Sequence, residues 1–235
     1  IGADVTIGAG IDIGPHVVIN GPTVIGQDNK IYQFSSIGEA CQDKKYRGEP
    51  TRLVIGHRNT IREFTTLQRG TVQGLGETRI GDDNWFMAYV HIAHDCVIGS
   101  HVIVANSVQI AGHVVIEDWA IIGGSSAIHQ FVKVGMHAMI SGGSLVRKDV
   151  PPFTKAAREP LTYAGVNSLG LRRRGFSSET IAHIQEVYRY LFLNSLNNSR
   201  ALEEIEINLP ATKERDEILN FIRSSERGVM KGYIN

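Results

Sequence analysis

Four histidines lie close together in the middle of the chain and could perform acid–base chemistry: His91, His94, His113 and His129. A neutral imidazole, with an ordinary pKa of about 6.5, can accept a proton from an attacking hydroxyl group. Asp95 follows His94 and could orient its ring. Neighbouring strand residues point to opposite faces, so this pair requires a turn. The cluster predicts a general base, His94, with an orienting carboxylate.

A six-residue period surrounds these histidines. A large apolar residue returns at every sixth position over Ile1–Ile37, Ile55–Leu67 and Ile80–Val146. β-branched residues and glycine are frequent in these hexads, which favours short strands joined by tight corners over helices. Glycine is expected to supply the corner dihedrals. The repeat therefore predicts a solenoid in which each hexad buries its inner side against its neighbours.

Two insertions interrupt the repeat, at residues 43–54 and 73–79. With three hexads in a coil, both leave after the third face. Residues 18 apart then lie side by side, about 4.8 Å apart, so Gly112 is expected beside His94. A glycine N–H has no side chain to hide it and can stabilise the oxyanion of a thioester carbonyl. Loops that interrupt a solenoid often carry function. Both insertions and the pair of His94 and Gly112 are expected at the third face, so we predict that acyl transfer takes place there.

One column of asparagines has a structural interpretation. Asn29, Asn59 and Asn84 occupy equivalent positions in three hexads. Asparagine side chains commonly hydrogen-bond to the backbone of their own turns. We expect these three residues to form a stacked ladder that stabilises one corner of the solenoid.

Two other interpretations of the histidines stay open from the residues alone. Three convergent histidines could bind zinc, although His91 and His94 are expected on different sides of a corner. Alternatively, histidines on a solenoid can be ordinary surface residues of a non-catalytic scaffold. That second interpretation offers no reason for polar columns to gather beside both insertions.

Composition limits the class of protein. The 235 residues carry 24 Lys plus Arg and 24 Asp plus Glu, so the net charge is zero. This balance argues against a broad nucleic-acid or membrane surface, since both require a basic excess. Two cysteines, Cys41 and Cys96, do not make a disulfide framework, which indicates a reduced, cytoplasmic protein. The chain has no apolar run of about 18 residues, so no membrane insertion is expected.

The hexads stop at Pro151 and Pro152. We predict a β-helix over 1–152 and a linker with an α-helical C-terminal domain over 153–235. Apolar periodicity predicts helices over 177–196, 200–208 and 213–226. The preceding run Arg172-Arg173-Arg174 is either a solvated charged face or a phosphate-binding group.

Several motifs are more specific. They include Q-D-K-K-Y at 42–46, H-I-A-H-D-C at 91–96, I-H-Q-F at 128–131 and L-R-R-R-G-F at 171–176. With these motifs the chain resembles the UDP-N-acetylglucosamine acyltransferases that catalyse the first acylation of lipid A biosynthesis, and the resemblance extends over essentially the whole sequence. It implies a left-handed parallel β-helix and a homotrimer with active sites between subunits. It also implies transfer of a 3-hydroxyacyl group from acyl carrier protein, without a cofactor or metal, to the glucosamine 3-position of UDP-N-acetylglucosamine.

The resemblance also implies residue roles. His94 would be the general base, with Asp95 beside it, and Gly112 would supply the oxyanion N–H. The other implied positions are the acceptor-sugar contacts Gln42, Asp43 and Lys45, the sugar and pyrophosphate residues His91 and His113, the more distal His129 and Gln130, the uridine and phosphate residues Asn167, Arg173 and Arg174, and the acyl-chain groove residue Gly142.

Two departures from the family pattern leave the acceptor group open. Gln68 stands where the family has a pocket histidine, and Leu169 replaces a nucleotide-contacting carboxylate. Some family members prefer a 3-amino analogue of the sugar, so both O- and N-acylation are retained. The remaining alternatives are another hexapeptide acyltransferase and a zinc-dependent carbonic anhydrase of the gamma class, which shares this fold.

Overall fold

The computed structural model describes residues 1–193 and 198–232. Its strands are β1 Val5–Ile7, β2 Asp12–Ile13, β3 Val18–Ile19, β4 Thr23–Ile25, β5 Lys30–Ile31, β6 Ser36–Glu39, β7 Arg52–Ile55, β8 Thr60–Ile61, β9 Thr66–Gln68, β10 Glu77–Ile80, β11 Trp85–Phe86, β12 His91–Ile92, β13 Val97–Ile98, β14 Ile103–Val104, β15 Gln109–Ile110, β16 Val115–Ile116, β17 Ile121–Ile122, β18 Ala127–Ile128, β19 Lys133–Val134, β20 Met139–Ile140, β21 Leu145–Val146, β22 Thr154–Ala157 and β23 Thr162–Val166. The helices are α1 Ser168–Arg173, α2 Ser178–Leu193, α3 Asn198–Asn208 and α4 Lys213–Arg223.

Every third strand joins the same sheet. The first sheet has the order β1-β4-β7-β10-β13-β16-β19, the second β2-β5-β8-β11-β14-β17-β20-β22-β23, and the third β3-β6-β9-β12-β15-β18-β21. All pairs between β1 and β21 are parallel, and His91 pairs with Gln109 one coil on. The chain therefore winds as a three-sided parallel β-helix, which confirms the fold expected from the hexads.

The inner side of the β-helix is a continuous apolar core. From Ile19 onward, the residue at each hexad position, such as Ile25, Ile92 or Ile110, is almost completely buried. Each such side chain contributes about 2 kcal/mol by leaving water. The core begins to close at Ile19, because earlier hexad residues lie at the open end of the stack.

The expectation that glycine makes the corners was largely wrong. Most corner residues with positive φ are not glycine, and they include Asp95 (φ 59°), His113 (φ 62°) and Phe131 (φ 65°). Glycine instead permits close contact between coils. A Cβ on Gly26 would lie 2.5 Å from the carbonyl oxygen of Gly56. Corners that accept ordinary side chains allow functional groups to stack from coil to coil.

Both insertions leave after strands of the third sheet, as predicted, but they end earlier than expected. The first lies between β6 and β7, so Arg52–Ile55 belongs to the first sheet rather than to a loop. The second lies between β9 and β10, and Glu77 pairs with Arg52. Pairing between coils explains why both insertions end early. In each case the chain begins to pair with the neighbouring strand of the first sheet a few residues before the apolar hexad residue.

The region after Pro152 is not purely helical. β22 extends the second sheet in parallel beside β20, and β23 returns antiparallel to β22. The predicted helices correspond to α2, α3 and α4, although residues 194–196 of the first prediction lie outside the described residues. α1 was not predicted. A second apolar core joins these elements, with Phe153, Ile184 and Tyr188 among its buried members.

None of the helices in the described ranges has both the length and the apolar character that a membrane span requires.

Candidate functional site

Asp95 is the centre of the site. It occupies the corner between β12 and β13, and its side chain is fully buried. Its carboxylate accepts hydrogen bonds from His94 Nδ1 at 2.8 Å, Thr71 Oγ1 at 2.6 Å and the Leu75 amide at 2.9 Å. The positive φ of Asp95 supplies the turn that the sequence required for this pair.

The same contacts set the charge of Asp95. Burial favours the neutral acid, but hydrogen bonds from His94 and Thr71 outweigh it and hold the carboxyl pKa below its ordinary value. Asp95 is therefore ionised at neutral pH and can only accept hydrogen bonds. The Nδ1 atom of His94 must donate the shared proton, which leaves Nε2 of the neutral ring with a free lone pair.

Gly112 lies directly against the His94 ring. A Cβ at position 112 would be 2.6 Å from both Nε2 and Cε1 of His94. Among the described residues the Gly112 amide has no hydrogen-bond partner, while the next residue, His113, donates its amide to the His94 carbonyl at 3.0 Å. A free N–H beside a basic nitrogen is the arrangement required for acyl transfer.

Two further histidines border this pair. His113 Nε2 lies 3.9 Å from Asp95 Oδ2, and its ring stacks on Phe131 with centroids 4.5 Å apart. His91 Nδ1 lies 2.7 Å from Thr66 Oγ1. Burial lowers the pKa of both imidazoles. They are therefore neutral hydrogen-bonding groups at pH 7 rather than cations.

The first insertion comes close to these rings. The Asp43 carboxylate favours the protonated form of His113, against the larger effect of burial. Asp43 also accepts the Lys45 amide at 2.9 Å, which closes a tight turn in the loop. Gln42, Asp43 and Lys45 are all exposed, so their polar groups are available to a ligand.

The nucleotide residues implied by the resemblance divide into two groups. His129 and Gln130 are exposed one coil beyond Gly112, on the same side of the β-helix as His94. Arg174 lies at the corner between the first and second sheets, where Nη2 donates to the Trp119 carbonyl at 3.1 Å. Arg173 beside it is exposed. Within one chain these two groups occupy different corners.

Asn167 and Gly142 also lie away from His94. Asn167 is buried, accepts the Gly170 amide as the N-cap of α1, and donates Nδ2 to the His137 carbonyl at 3.0 Å. Its polar atoms therefore already stabilise the chain. Gly142 is exposed at the corner between β20 and β21, where a Cβ would lie 3.1 Å from the Gly124 carbonyl oxygen. Their substrate-binding and acyl-groove roles stay predictions.

Sequence reasoning missed Thr71 and Leu75, which both lie in the segment between β9 and β10 that forms the second insertion in the structure. Their donors reach Asp95 across sequence separations of 24 and 20 residues. No periodic signal marks them, because an insertion has no fixed register with the coils. The only local signal was the position of the insertion beside the third face.

One group of the described residues has donor atoms close enough for a metal ion: His94, Asp95 and His113, within 4.8 Å of one another. It is not the three-histidine set that the zinc interpretation required, since His91 is outside it. The Asp95 oxygens in this group already accept several hydrogen bonds. A zinc centre would have to replace the His94–Asp95 hydrogen bond.

Sequence profiles match two parts of the chain. The second domain of the Udp N-acetylglucosamine O-acyltransferase family matches residues 149–230, and the bacterial transferase hexapeptide family (six repeats) matches residues 77–112.

Similar proteins cover nearly all of it. The acyl-[acyl-carrier-protein]--UDP-N-acetylglucosamine O-acyltransferase of Halorhodospira halophila is 50% identical over 211 residues, 90% of this chain and 82% of that protein. The enzyme of the same name from Verminephrobacter eiseniae is 54% identical over 83% of this chain and 74% of its own. The crystal structure of LpxA, a UDP-N-acetylglucosamine acyltransferase from Bacteroides fragilis, superposes with a TM-score of 0.92 at 41% identity and covers 97% of this chain and 96% of that one. With this identity over most of its length, and with a β-helix of the same shape, the chain belongs to the acyl-[acyl-carrier-protein]–UDP-N-acetylglucosamine O-acyltransferase family.

Proposed function

We propose that this protein transfers a 3-hydroxyacyl group from acyl carrier protein to the glucosamine 3-hydroxyl of UDP-N-acetylglucosamine, the first step of lipid A biosynthesis. One observation carries the chemistry: the His94 ring, oriented by the buried Asp95, lies against the free N–H of Gly112. Family membership supplies the substrate class. The free thiols of Cys41 and Cys96 suit a reducing compartment, which supports a cytoplasmic location.

The reaction follows from these positions. Nε2 of His94 accepts the proton of the sugar hydroxyl while its oxygen attacks the thioester carbonyl carbon. The Gly112 N–H stabilises the oxyanion that forms. The carbon–sulfur bond then breaks, and the His94 proton passes to the departing thiol of the carrier. Asp95 stabilises the imidazolium between these two transfers. These residues require neither a covalent enzyme intermediate nor a metal.

The acceptor sugar is proposed to bind between the first insertion and the histidine column. Asp43 and Lys45 provide an acceptor and a cation at the loop, with Gln42 beside them. His91 and His113 are neutral at pH 7, so they can hydrogen-bond to hydroxyl and phosphate oxygens without adding charge. His129 and Gln130 continue this surface toward the nucleotide.

A homotrimer is part of the proposal, because one chain keeps the implied ligand groups apart. Arg174 and Asn167 are at a different corner from His94, so a neighbouring subunit would supply them. The outward side of the second sheet offers an apolar column for such packing, formed by Trp85, Ile103, Ile121 and Met139 on adjacent strands.

The 3-amino analogue is the second candidate acceptor. Gln68, which replaces a pocket histidine, is buried at the end of β9 on the third sheet. A glutamine amide stays neutral, whereas a histidine can become a cation. This side of the pocket therefore presents no positive charge to an amine. The same catalytic pair can deprotonate either acceptor.

The deciding experiment incubates the purified protein with acyl carrier proteins of several acyl lengths and with both UDP-sugars, and identifies products by mass. We expect 3-acylated UDP-sugar from the wild-type protein, and a fall in kcat of at least about 10²-fold in His94→Ala. His16→Ala, on an exposed corner far from the site, is the matched control. Full activity of His94→Ala rejects the mechanism, and loss of activity with a chelator rejects the metal-free reaction.

A further inference from the structure

The second insertion closes on Asp95. Thr71 begins a turn in which its own carbonyl accepts the amides of Gly74 at 3.2 Å and Gly76 at 2.9 Å. We call residues 71–76 the aspartate turn. Its donors to the carboxylate are the Thr71 amide at 3.0 Å, the Thr71 hydroxyl at 2.6 Å and the Leu75 amide at 2.9 Å. Three of the hydrogen bonds to Asp95 therefore come from this one short segment.

The turn leaves Asp95 no room to rotate. A Cβ on Gly74 would lie 2.4–2.7 Å from the Asp95 carboxylate atoms, so the Gly74 backbone packs directly on this group. The Asp95 amide donates to Thr78 Oγ1 at 2.9 Å, in the strand that follows the turn. Both the backbone and the side chain of Asp95 are thus held by the segment that begins at Thr71.

The donors in the turn are neutral. Amide and hydroxyl groups stabilise a carboxylate without cancelling its charge, whereas an arginine or lysine would compete with the imidazolium that forms on His94. The negative charge of Asp95 is therefore not neutralised by another cation and can stabilise the proton on Nδ1 of His94. His113, another ionisable group, is 3.9 Å away and uncharged at neutral pH, and the raised pKa values of Cys41 and Cys96 keep both nearby thiols neutral.

We propose that the aspartate turn sets the orientation of the catalytic base, and that Thr71 is a positioning residue which acts on His94 only through Asp95. This inference rests on the proposed function, because it assigns the turn to the same base. It goes beyond that function by giving the second insertion a role in turnover rather than in substrate contact. Among the described residues, Thr71 hydrogen-bonds to Asp95 and not to the His94 ring.

Thr71→Val keeps the shape of the side chain and removes the hydroxyl donor. The carboxylate is then less restrained and turns away from Nδ1, so it stabilises protonated His94 less. We expect kcat to fall about 10–100-fold, the KM for the UDP-sugar to change less than about threefold, and the acid limb of the kcat–pH profile to move to lower pH. Thr71→Ser restores the hydroxyl and should recover kcat to within about threefold.

Two other variants separate positioning from general damage to the loop. Val72→Ala, at an exposed position of the same turn without a contact to Asp95, should leave kcat and the pH profile unchanged. Gly74→Ala adds a methyl group against the carboxylate and should lower kcat like Thr71→Val. An unchanged kcat and acid limb in Thr71→Val, or a failure of Thr71→Ser to recover, overturns the inference.

A readout without substrate keeps this test independent of the proposed reaction. Nitrogen-15 NMR of the histidine rings reports which nitrogen carries the proton. We expect the Nδ1–H form of His94 in wild type and in Thr71→Ser, and a mixture of both tautomers in Thr71→Val. If the tautomer shifts but no acyl transfer is found in wild type, the proposed function fails alone. If wild type transfers acyl groups and Thr71→Val leaves the tautomer unchanged, the inference fails alone.

Discussion

At the scale of single residues, the site depends on close contacts that restrict which residue types can occupy these positions. Gly112 is required because the His94 ring occupies the space of a side chain. Asp95 matters because its ionised carboxylate can only accept a hydrogen bond, so it fixes the proton on Nδ1 of His94. Both are common residue types, and their importance comes from what lies against them.

Gly112→Ala tests the first of these contacts. The new methyl group would lie 2.6 Å from two ring atoms of His94, so the ring must move away from the acceptor. A displacement of about 1 Å can cost about 10²-fold in rate, and we expect kcat to fall by that factor. Steady-state kinetics check this, with circular dichroism to confirm folding. Gly2→Ala is the control, and wild-type kcat in Gly112→Ala would contradict the packing argument.

At the scale of elements, the corners hold successive coils together. The predicted asparagine ladder is present and connects three coils: Asn59 Nδ2 donates to Asn29 Oδ1 at 2.9 Å, and the Asn84 amide donates to Asn59 Oδ1 at 2.9 Å. The asparagines bond across coils as well as to their own turns. Another corner stacks aromatic rings, with His137 between Trp119 and Phe153.

Asn59→Ala removes the middle of the ladder. The backbone amide of the buried Asn84 and the carbonyl of the partly buried Gly81 then lose their partners. An unsatisfied buried group costs about 1–3 kcal/mol, so we expect a loss of about 3 kcal/mol and a Tm lower by about 6–12 °C. Thermal unfolding checks this, with the exposed Asn106→Ala as control. A change below about 1 kcal/mol would show that water replaces the lost bonds.

The aromatic corner makes stability depend on pH. Burial, reinforced by the Arg174 guanidinium, lowers the pKa of His137 to about 4, whereas an unfolded histidine titrates near about 6.5. Between these values only the unfolded chain binds this proton, so the folded state loses up to about 3 kcal/mol as pH falls. We expect His137→Gln to reduce the loss of denaturation midpoint between pH 6.5 and 4. The control His16→Gln should not, and an identical slope in both variants would refute the assignment.

At the scale of the whole molecule, ligand groups that belong to one proposed reaction lie on separate corners of the β-helix. His94 is between the third and first sheets, Arg174 packs at the corner between the first and second, and Gly142 is between the second and third. A rigid solenoid cannot bend to bring these corners together. Subunit association is therefore the physical route to a complete site.

Ile121→Glu tests this association. Ile121 faces outward on the second sheet between Ile103 and Met139, so a buried carboxylate there would oppose packing against another subunit. We expect the trimer to dissociate and kcat to fall more than about tenfold, with the β-sheet spectrum retained. Light scattering gives the mass, and Ile207→Glu on α3 is the control. A monomeric wild type, or a trimeric and active Ile121→Glu, would contradict the proposal.

The sequence by itself determined the β-helix, the third face as the place of both insertions, the asparagine ladder, and His94, Asp95 and Gly112 as neighbours. All of these follow from the regular spacing of hexads, because residues one coil apart must lie side by side. Tertiary structure alone decided that corners use side chains rather than glycine, that β22 and β23 extend the second sheet, and that Thr71 and Leu75 hold Asp95. These features lie in segments without the six-residue repeat. The course of an insertion depends on which hydrogen-bonding groups it reaches, and a buried carboxylate binds the nearest free donors whatever their distance along the chain.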